Sequence, residues 1–398
     1  MKILMLGNGF DLHHKLPTTY LCFLQTAHLL SGKSKTPDTI ASVFTELKDK
    51  CEDISKSYTA YREFYEGYHL DNADGEQISQ LIKNNIWFKY FWNSYNKNAG
   101  WIDFEKEISK VLSIFSKVLT DPNLYDQSRD SLWCDTQNLL IRKFDFFFSA
   151  RDSCTLYFDN YKYLIESLNG VNLYSVNKDK IYNDLYNELI KFSEALNLYF
   201  RVFVEKPLSK MKEQNDIELN SLFNGYDHVI TFNYTNTYES LYGRSSMHYI
   251  HGKLDTNIIL GVNPDEKDEL SDLDTSYIMF KKYYQRIYHR TDNSFIEMIN
   301  SIKKDKDALS PQHNDLVVCG HSLDVTDQDL IKQVFDVSGS IYIVCHDLSK
   351  IGDYISNLIQ IYGKSEFDII RSTKQLRFIT YEEWKDVQYE EPFVAQQL

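Results

Sequence analysis

The sequence lacks any uninterrupted apolar run of about 18 residues, the length that a membrane-spanning helix needs. Its first apolar stretch, residues 1–6, is too short for the core of a signal peptide and runs directly into glycine. We therefore expect a cytoplasmic protein that has no membrane partner.

The six cysteines include no Cys-x-x-Cys pair and no spacing typical of a zinc ribbon. They occupy positions 22, 51, 134, 154, 319 and 345. We interpret them as reduced structural thiols and predict no metal site from their pattern.

Basic residues are not in excess, because 43 Lys and Arg stand against 57 Asp and Glu, which gives a net charge of −14. Such a charge disfavours broad attraction to nucleic-acid backbones or to anionic lipid. Nucleic acid is therefore not an expected partner, although a local basic groove stays open.

The chain has no internal repeat and no low-complexity tract, and its 398 residues exceed the usual length of one domain. Short apolar runs that alternate with helical patterns occur at the start and again after residue 225, which favours a parallel sheet with helices on both faces. We predict strands at 3–6, 228–232, 247–250, 258–260, 316–319 and 341–344, and helices at 20–30, 237–242, 276–304, 327–335 and 351–361.

The middle of the chain has the pattern of amphipathic helices, clearest over 78–95, 101–119 and 182–205. We therefore predict an α/β fold whose nucleotide-binding core comprises 1–34 and 226–398. Residues 35–225 form a helical insertion in this prediction.

Four of the predicted strands end in sequences suited to ligand binding, and parallel strands present their carboxyl ends at one edge of a sheet. The first is Gly7-Asn8-Gly9-Phe10-Asp11, where glycines allow backbone and amides to approach a phosphate. A plain turn is the alternative, and Leu12 leaves the Gly-x-Gly-x-x-Gly pattern incomplete. Asp11 would repel phosphate, but it suits ribose hydroxyls or a turn cap.

The second and third strand ends carry an amide and an imidazole. Asn233, within the segment that starts at Thr231, suits a ribose hydroxyl or a catalytic water, or merely ends the strand. His251, followed by Gly252, suits a general base, or it is simply packed. Strand alternation predicts that only one of His248 and His251 lines a given cleft.

The fourth strand ends at Gly320, followed by His321 and Ser322. Ser322 suits a hydrogen bond to phosphate or sugar, whereas a nucleophilic role finds little support because residue 324 is Asp rather than Gly. Asp324 is also suited to cap the next helix.

Two further clusters lie outside the strand ends. Asp103 and Glu105 either reach the cleft or cap a helix, and we favour the cap. The basic run at 281–286 either binds phosphate or forms a solvated helix face, and we favour the solvated face.

Taken in order, these motifs resemble the AbiH family of bacterial abortive-infection proteins over nearly the whole chain. The resemblance rests on Gly-Asn-Gly-Phe-Asp-Leu with Leu16-Pro17-Thr18, Trp101-x-Asp103-x-Glu105, Thr231-x-Asn233-Tyr234, His251-Gly252 and Gly320-His321-Ser322-Leu323. It implies an antiphage role and a phage-derived trigger.

The same order is similar, more distantly, to the sirtuin-type NAD-binding core. That resemblance implies a Rossmann-like sheet of sirtuin type and NAD⁺ as substrate or ligand. The glycine loop, Gly320 and Ser322 would hold the dinucleotide, Asn233 the nicotinamide ribose, and His251 would act as base. Asp11 and Thr235 depart from that pattern, and the missing four-cysteine zinc module disfavours peptide deacylation.

These resemblances lead to one hypothesis and two alternatives. The hypothesis is an effector that hydrolyses NAD⁺ at its nicotinamide glycosidic bond, with the helical insertion covering the cleft or sensing the trigger. One alternative is a switch that senses NAD⁺ or ADP-ribose through a partner without turnover. The other is a nuclease in which Asp11, Asp103, Glu105 and histidines gather a metal. Whether the chain forms a homo-oligomer stays open.

Overall fold

The computed structural model describes most of the chain, and the longest segment that it leaves out is 134–147. The described residues are 1–97, 102–120, 125–126, 131–133, 148–150, 155–158, 164–166, 174–214, 219–243, 245–254, 256–262, 275, 277–306 and 314–389. Trp101, Cys134 and Cys154 lie outside them.

Six parallel strands form the central sheet. They are β1 (Lys2–Leu6), β2 (His228–Thr231), β3 (Ser246–Tyr249), β4 (Asp315–Cys319), β5 (Ser340–Val344) and β6 (Arg377–Ile379). Every neighbouring pair is parallel, and the order across the sheet is β3-β2-β1-β4-β5-β6. This is the doubly wound order of Rossmann-type folds, in which the direction of winding reverses between β1 and β4. The predicted Rossmann-like α/β fold is therefore confirmed.

Strands β1, β2, β4 and β5 are largely apolar because both faces of the sheet are covered there. Along β1, Ile3 and Met5 pack in one hydrophobic cluster, whereas Leu4 and Leu6 pack in the cluster on the other face. Side chains of a strand alternate between faces, so a strand buried on both sides has few polar positions. The same feature made these strands recognisable in the sequence.

Helices occupy both sides of the sheet and most of the long connection between β1 and β2. The helices of that connection are Asn8–His13, Tyr20–Ser31, Ile40–Leu47, Glu52–Ala60, Arg62–Gly67, Asn72–Ile82, Ile86–Lys97, Phe104–Thr120, Lys178–Phe200 with the π-helical Arg201–Glu205, and Lys206–Gln214. The later helices are Thr237–Tyr242, Lys282–His289, Asn293–Lys306, Gln328–Val337, Ile351–Tyr362, Lys364–Thr373 and Tyr381–Tyr389. In the part of the chain that the structure describes, no helix is long and apolar enough to cross a membrane.

The connection between β1 and β2 contributes most of a separate hydrophobic core that is rich in aromatic side chains. Phe104 lies at its centre, with ring centroids 4.5 Å from Phe91 and 5.0 Å from Phe192. Short antiparallel strands also occur there, at Tyr125–Asp126, Ser131–Trp133, Phe148–Ala150, Thr155–Phe158, Leu164–Glu166 and Tyr174–Val176. The boundaries 34/35 and 225/226 stay a prediction.

Three local expectations need correction. The residues from Asn8 to His13 form a helix directly after β1, where the sequence predicts a loop. Residues 258–260 form no strand, because the backbone N–H and C=O of Leu260 bond to the side-chain amide of Gln285 instead of a neighbouring strand. Strand β6 was missed, since it has only three residues.

Candidate functional site at the strand edge

A cleft of about 420 Å³ opens where the winding of the sheet reverses. Its volume lies within the usual range of ligand sites, and its position is where open α/β sheets bind ligands. From the core it is lined by Gly7, Asn8, Asp11, Phe232, Asn233, Tyr234, Thr235, His251, Gly320, His321, Ser322, Asp324, Thr326 and Asp327. From the rest of the connection between β1 and β2 it is lined by Thr18, Thr19, Tyr20, Leu21, Asp53, Ile102, Asp103, Glu105 and Phe200.

The glycines of the first and fourth strand ends pack backbone against backbone. A Cβ atom on Gly9 would lie 2.6 Å from the Cα of Gly320, and one on Gly7 would lie 2.6 Å from the Gly320 carbonyl oxygen. Gly320 itself has φ +70°, a conformation that L side chains rarely adopt. Small residues are therefore required here to bring β1 and β4 loops together.

The amides of the glycine segment are used in the same contact. The N–H of Gly7 donates to Cys319, that of Gly9 to Gly320, and that of Phe10 to the carbonyl of Gly7. The N–H groups of Gly7, Gly9 and Phe10 are therefore occupied by carbonyl oxygens. The expectation that this segment contacts a phosphate stays a prediction.

Asp11 lies buried beside the cleft in a cluster of hydroxyl and amide groups. Thr235 Oγ1 donates to Asp11 Oδ2 over 2.6 Å, and Thr237 Oγ1 donates to Thr235 over 3.1 Å. Burial raises the pKa of Asp11 to about 6, against the hydrogen bonds from Thr235, Thr237 and Asn233. Among the described residues, Asp11 Oδ1 has no hydrogen-bond partner.

Asn233, which follows β2, is held in place by hydrogen bonds to the ends of β1 and β2. Its Nδ2 donates to the carbonyl of Gly7 over 3.0 Å, and its backbone N–H donates to Thr231 Oγ1. The amide orientation is fixed in this way, so Oδ1 is the atom that Asn233 can offer to a hydroxyl or a water.

His251 and Asp327 form a buried dyad at the base of the cleft. His251 Nε2 lies 3.0 Å from Asp327 Oδ1, and a carboxylate can only accept, so Nε2 carries the proton. Burial and the charge of Lys282 lower the pKa of His251 to about 4, although Asp327 acts in the opposite direction. The imidazole is therefore neutral at pH 7, with Nδ1 as its basic nitrogen.

Lys282 joins the dyad to the helical insertion. Its Nζ lies 2.8 Å from Asp327 Oδ1 and 2.7 Å from Glu105 Oε2, and its side chain is 0% exposed. Burial raises the pKa of Asp327, but the charge of Lys282 and the hydrogen bond from His251 outweigh it and hold that pKa well below its usual value. One cation does not neutralise two buried carboxylates, and burial raises the pKa of Glu105 to about 8 despite Lys282. Asp327 is thus ionised at pH 7 and Glu105 is mainly protonated.

The fourth strand end adds His321 and Ser322 to the cleft. The N–H of Leu323 donates to His321 Nδ1, so the proton of a neutral His321 sits on Nε2, 3.7 Å from Asp327 Oδ2. Asp324 caps the turn Val325–Asp327 by accepting from the N–H of Thr326, as the sequence predicts. Its Oδ2 also binds Lys106 over 2.8 Å.

The structure brings eight of the predicted site residues together around the cleft. They are Gly7, Asn8, Asp11, Asn233, His251, Gly320, His321 and Ser322. Four others do not line it, namely Gly9, Phe10, Thr231 and Gly252. Phe10 instead packs on Phe223 in the hydrophobic core on one face of the sheet.

His248 lies away from the cleft, where it forms hydrogen bonds with His228 and Ser294. The expectation that only one of the two histidines lines the cleft is confirmed.

The basic run at 281–286 is not a solvated face, which corrects the sequence interpretation. Lys281, Lys282, Gln285 and Arg286 are all at least 96% buried. Arg286 has the carboxylates of Asp292 and Asp329 as partners, which offset the cost of burying its charge.

Asp103 and Glu105 both line the cleft, and Asp103 also provides the predicted cap. Asp103 Oδ1 accepts from the N–H groups of Glu105 and Lys106. Sequence reasoning gave Asp327 no role in the site and interpreted Lys282 as part of a solvated basic helix. Asp327 lies 45 residues from Lys282 and 76 residues from His251 in the sequence, so no local pattern joins them.

The metal-binding group that a nuclease would need is not formed by Asp11, Asp103 and Glu105. Within the described ranges, the one group of three metal-type side chains whose ligand atoms lie within 4.8 Å of one another is Cys22, Cys51 and Asp53. The nuclease alternative therefore gains no support from the cleft.

The fold and the cleft define a doubly wound parallel α/β protein with a ligand-sized site where the winding reverses. Within this class, the chain belongs to the family described as bacteriophage abortive infection AbiH, which matches residues 3–344. The matched segment contains all the motifs that line the cleft. Curated proteins and solved structures gave no match. The likeness to sirtuins stays a prediction.

Proposed function

We propose that this abortive-infection protein hydrolyses NAD⁺ at the bond between nicotinamide and ribose. The observation that carries the proposal is the His251–Asp327 pair at the base of a cleft that also contains Asn233 and Asp11. Three further features support it: the Rossmann-type strand order, the position of the cleft at the reversal point, and the family.

The reaction consumes one water and releases neutral nicotinamide, ADP-ribose and one proton. The bond between ribose C1′ and the nicotinamide nitrogen breaks with its electron pair on nitrogen, and the water oxygen bonds to C1′. Because the leaving group departs as a neutral pyridine, it needs no proton donor. The protein has to position the ribose and accept the proton of the water.

His251 is the proton acceptor in this proposal. Its Nε2–H is held by Asp327, so Nδ1 takes the proton and Asp327 stabilises the imidazolium that forms. Lys282 keeps Asp327 ionised, which preserves that stabilisation near neutral pH. The low pKa of His251 makes it a weak base at rest, and the positive charge developing at C1′ acidifies the attacking water.

Asn233 and Asp11 position the ribose. Asn233 Oδ1 accepts from a ribose hydroxyl or from the attacking water, since its Nδ2 is already bonded to Gly7. Asp11 Oδ1, buried and without a partner among the described residues, accepts from a second ribose hydroxyl. Of the roles that the sequence suggests for Asp11, this is the contact with ribose hydroxyls. In this proposal the amides of Gly7 and Gly9 do not contact a phosphate.

Residues of the connection between β1 and β2 cover the opposite side of the cleft. Tyr20 and Glu105 line it there. Tyr20 stacks on Phe104 with ring centroids 4.2 Å apart, and Glu105 pairs with Lys282. Such a cover lowers the access of bulk water to the reacting ribose. It also gives a phage trigger a surface through which to act on the cleft.

The test is to incubate the purified protein with NAD⁺, with and without phage lysate, and to measure free nicotinamide. Wild type releases nicotinamide under at least one condition, and His251→Ala lowers the rate by about 10²–10⁴-fold. His248→Ala is the matched control, because that histidine is equally buried but bonds His228 and Ser294 outside the cleft. NAD⁺ binding without release, unchanged in His251→Ala, supports the switch and contradicts hydrolysis.

A further inference from the structure

Two cysteines that are 29 residues apart in the sequence meet next to Thr19 and Asp53, which line the cleft. Cys22 lies in the first turn of the helix Tyr20–Ser31, and Cys51 is the N-cap of the helix Glu52–Ala60. Their Sγ atoms are 3.2 Å apart, and both side chains are at least 99% buried.

A carboxylate and a hydroxyl complete the cluster. Thr19 Oγ1 lies 3.0 Å from Cys22 Sγ and donates to Asp53 Oδ2 over 3.1 Å. The two sulfurs and a carboxylate oxygen of Asp53 all lie within 4.8 Å of one another. Thr19 and Asp53 also line the cleft, so the cluster has an entry path from solvent.

The donor set is that of a borderline-soft divalent cation. Two sulfurs and one carboxylate are ligands that zinc accepts, and a fourth position taken by water or by Thr19 completes a tetrahedron. A carboxylate beside two thiols opposes their ionisation, and a divalent cation between the three groups removes that repulsion.

The separation of the sulfurs favours a metal over a disulfide. Two thiolates on one zinc, each about 2.3 Å from it, lie about 3.8 Å apart in a tetrahedron. Opening the observed 3.2 Å by roughly half an ångström reaches that geometry. A disulfide needs about 2.05 Å, so the sulfurs would have to approach by more than about 1 Å within a packed core.

We propose that Cys22, Cys51 and Asp53 bind one Zn²⁺, which fastens the helix Tyr20–Ser31 to the helix Glu52–Ala60 beside the cleft. The ion holds Thr19 and Asp53 in the cleft wall that the connection between β1 and β2 contributes. The inference does not depend on the reaction in the cleft.

The test uses the full chain and the metal alone. Protein purified without chelator is predicted to contain one zinc per chain, and protein stripped by chelator is predicted to bind one Co²⁺ with thiolate-to-cobalt charge-transfer bands. Asp53→Asn and Cys51→Ser weaken Co²⁺ binding at least about tenfold. Cys345→Ser is the control, because that buried cysteine bonds only weakly to the Ile343 carbonyl.

Asp53 is half-buried, so Asp53→Asn tests the site even where a buried cysteine variant fails to fold. Folded wild type that binds no Co²⁺ overturns the proposal, as does equal affinity in wild type and Asp53→Asn. A Cys22–Cys51 disulfide in freshly purified protein, seen as a mass lower by two hydrogens before reduction, also overturns it.

Discussion

His251 donates its Nε2–H to the ionised carboxylate of Asp327 across 3.0 Å, and this hydrogen bond selects Nδ1 as the basic nitrogen. Asp327→Asn removes the charge that stabilises the imidazolium and weakens the choice of tautomer. We predict that nicotinamide release falls by on the order of 10³-fold, mainly in kcat, because Asp327 acts through His251.

Asp353→Asn is the control for that measurement, since Asp353 is exposed and lies 3.7 Å from the exposed Lys350. Activity of Asp327→Asn within threefold of the control would show that His251 is not the base.

Lys282 is fully buried between two carboxyl groups, and its removal leaves the charge of Asp327 without its cation. Lys282→Met is predicted to lower the free energy of unfolding by about 3–5 kcal/mol. Lys253→Met is the matched control, because its ion pair with Glu239 is partly exposed and is worth about 1 kcal/mol or less. Denaturant unfolding of both variants measures the difference, and equal losses would contradict the buried network.

Glu105 gives the protein a specific dependence of stability on pH. Burial raises its pKa from 4.5 to about 8 in the folded chain, so the folded state binds more protons than the unfolded state between these values. Stability therefore falls as pH rises through this window. His251, whose pKa is lowered to about 4, makes stability rise with pH, and it does so only below pH 6.5.

Between pH 6.5 and 8 the contribution of Glu105 is thus separated from that of His251. We predict that the free energy of unfolding of wild type falls by roughly 1–2 kcal/mol across this interval, and that Glu105→Gln removes the fall. Identical pH profiles for the two proteins would show that Glu105 is ionised in the folded chain.

Glu105→Gln also tests whether the substrate of the cleft has a leaving group that must be protonated. A nicotinamide leaving group needs no proton, so this isosteric variant is predicted to keep NAD⁺ hydrolysis within about fivefold of wild type. Loss of activity by a factor of about 100 or more, with intact folding, would indicate a substrate whose leaving group must be protonated.

The variant Gly9→Ala tests whether the glycine segment is needed to pack the loop after β1 against the loop after β4. A Cβ atom there would lie 2.6 Å from Gly320 Cα, so Gly9→Ala forces the two loops apart and is predicted to cost about 1–3 kcal/mol. Gly352→Ala is the control, because nothing lies within 4 Å of its Cβ position in the helix Ile351–Tyr362. A thermal melt that is unchanged in Gly9→Ala would contradict the packing role.

The fold was predictable because buried parallel strands have a strong local signal. Runs such as 316–319 are continuously apolar and end at glycine, and the parallel arrangement then places four strand ends at one edge. Asn233 and His251 follow from that geometry alone. Residues 258–260 have the same apolar signal but no partner strand, so composition could not distinguish them.

The charged network was not predictable, because its members are defined by long-range contacts. Lys282 looks like part of a solvated basic helix until Glu105 and Asp327 are seen on either side of it. The role of the glycines was hard to predict for a different reason, because their sequence pattern is conspicuous but ambiguous. Their pattern is shared by phosphate loops and by close backbone packing, and only the contact of Gly9 with Gly320 separates the two.

The central claim is that the cleft destroys NAD⁺ during infection, and the most direct measurement is mass-spectrometric quantification of NAD⁺, nicotinamide and ADP-ribose in phage-infected cells. Cells that express wild type or His248→Ala are predicted to lose NAD⁺ and accumulate nicotinamide with ADP-ribose, whereas cells with His251→Ala keep their NAD⁺. Phage protection by wild type with NAD⁺ levels equal to those of His251→Ala cells would contradict the account.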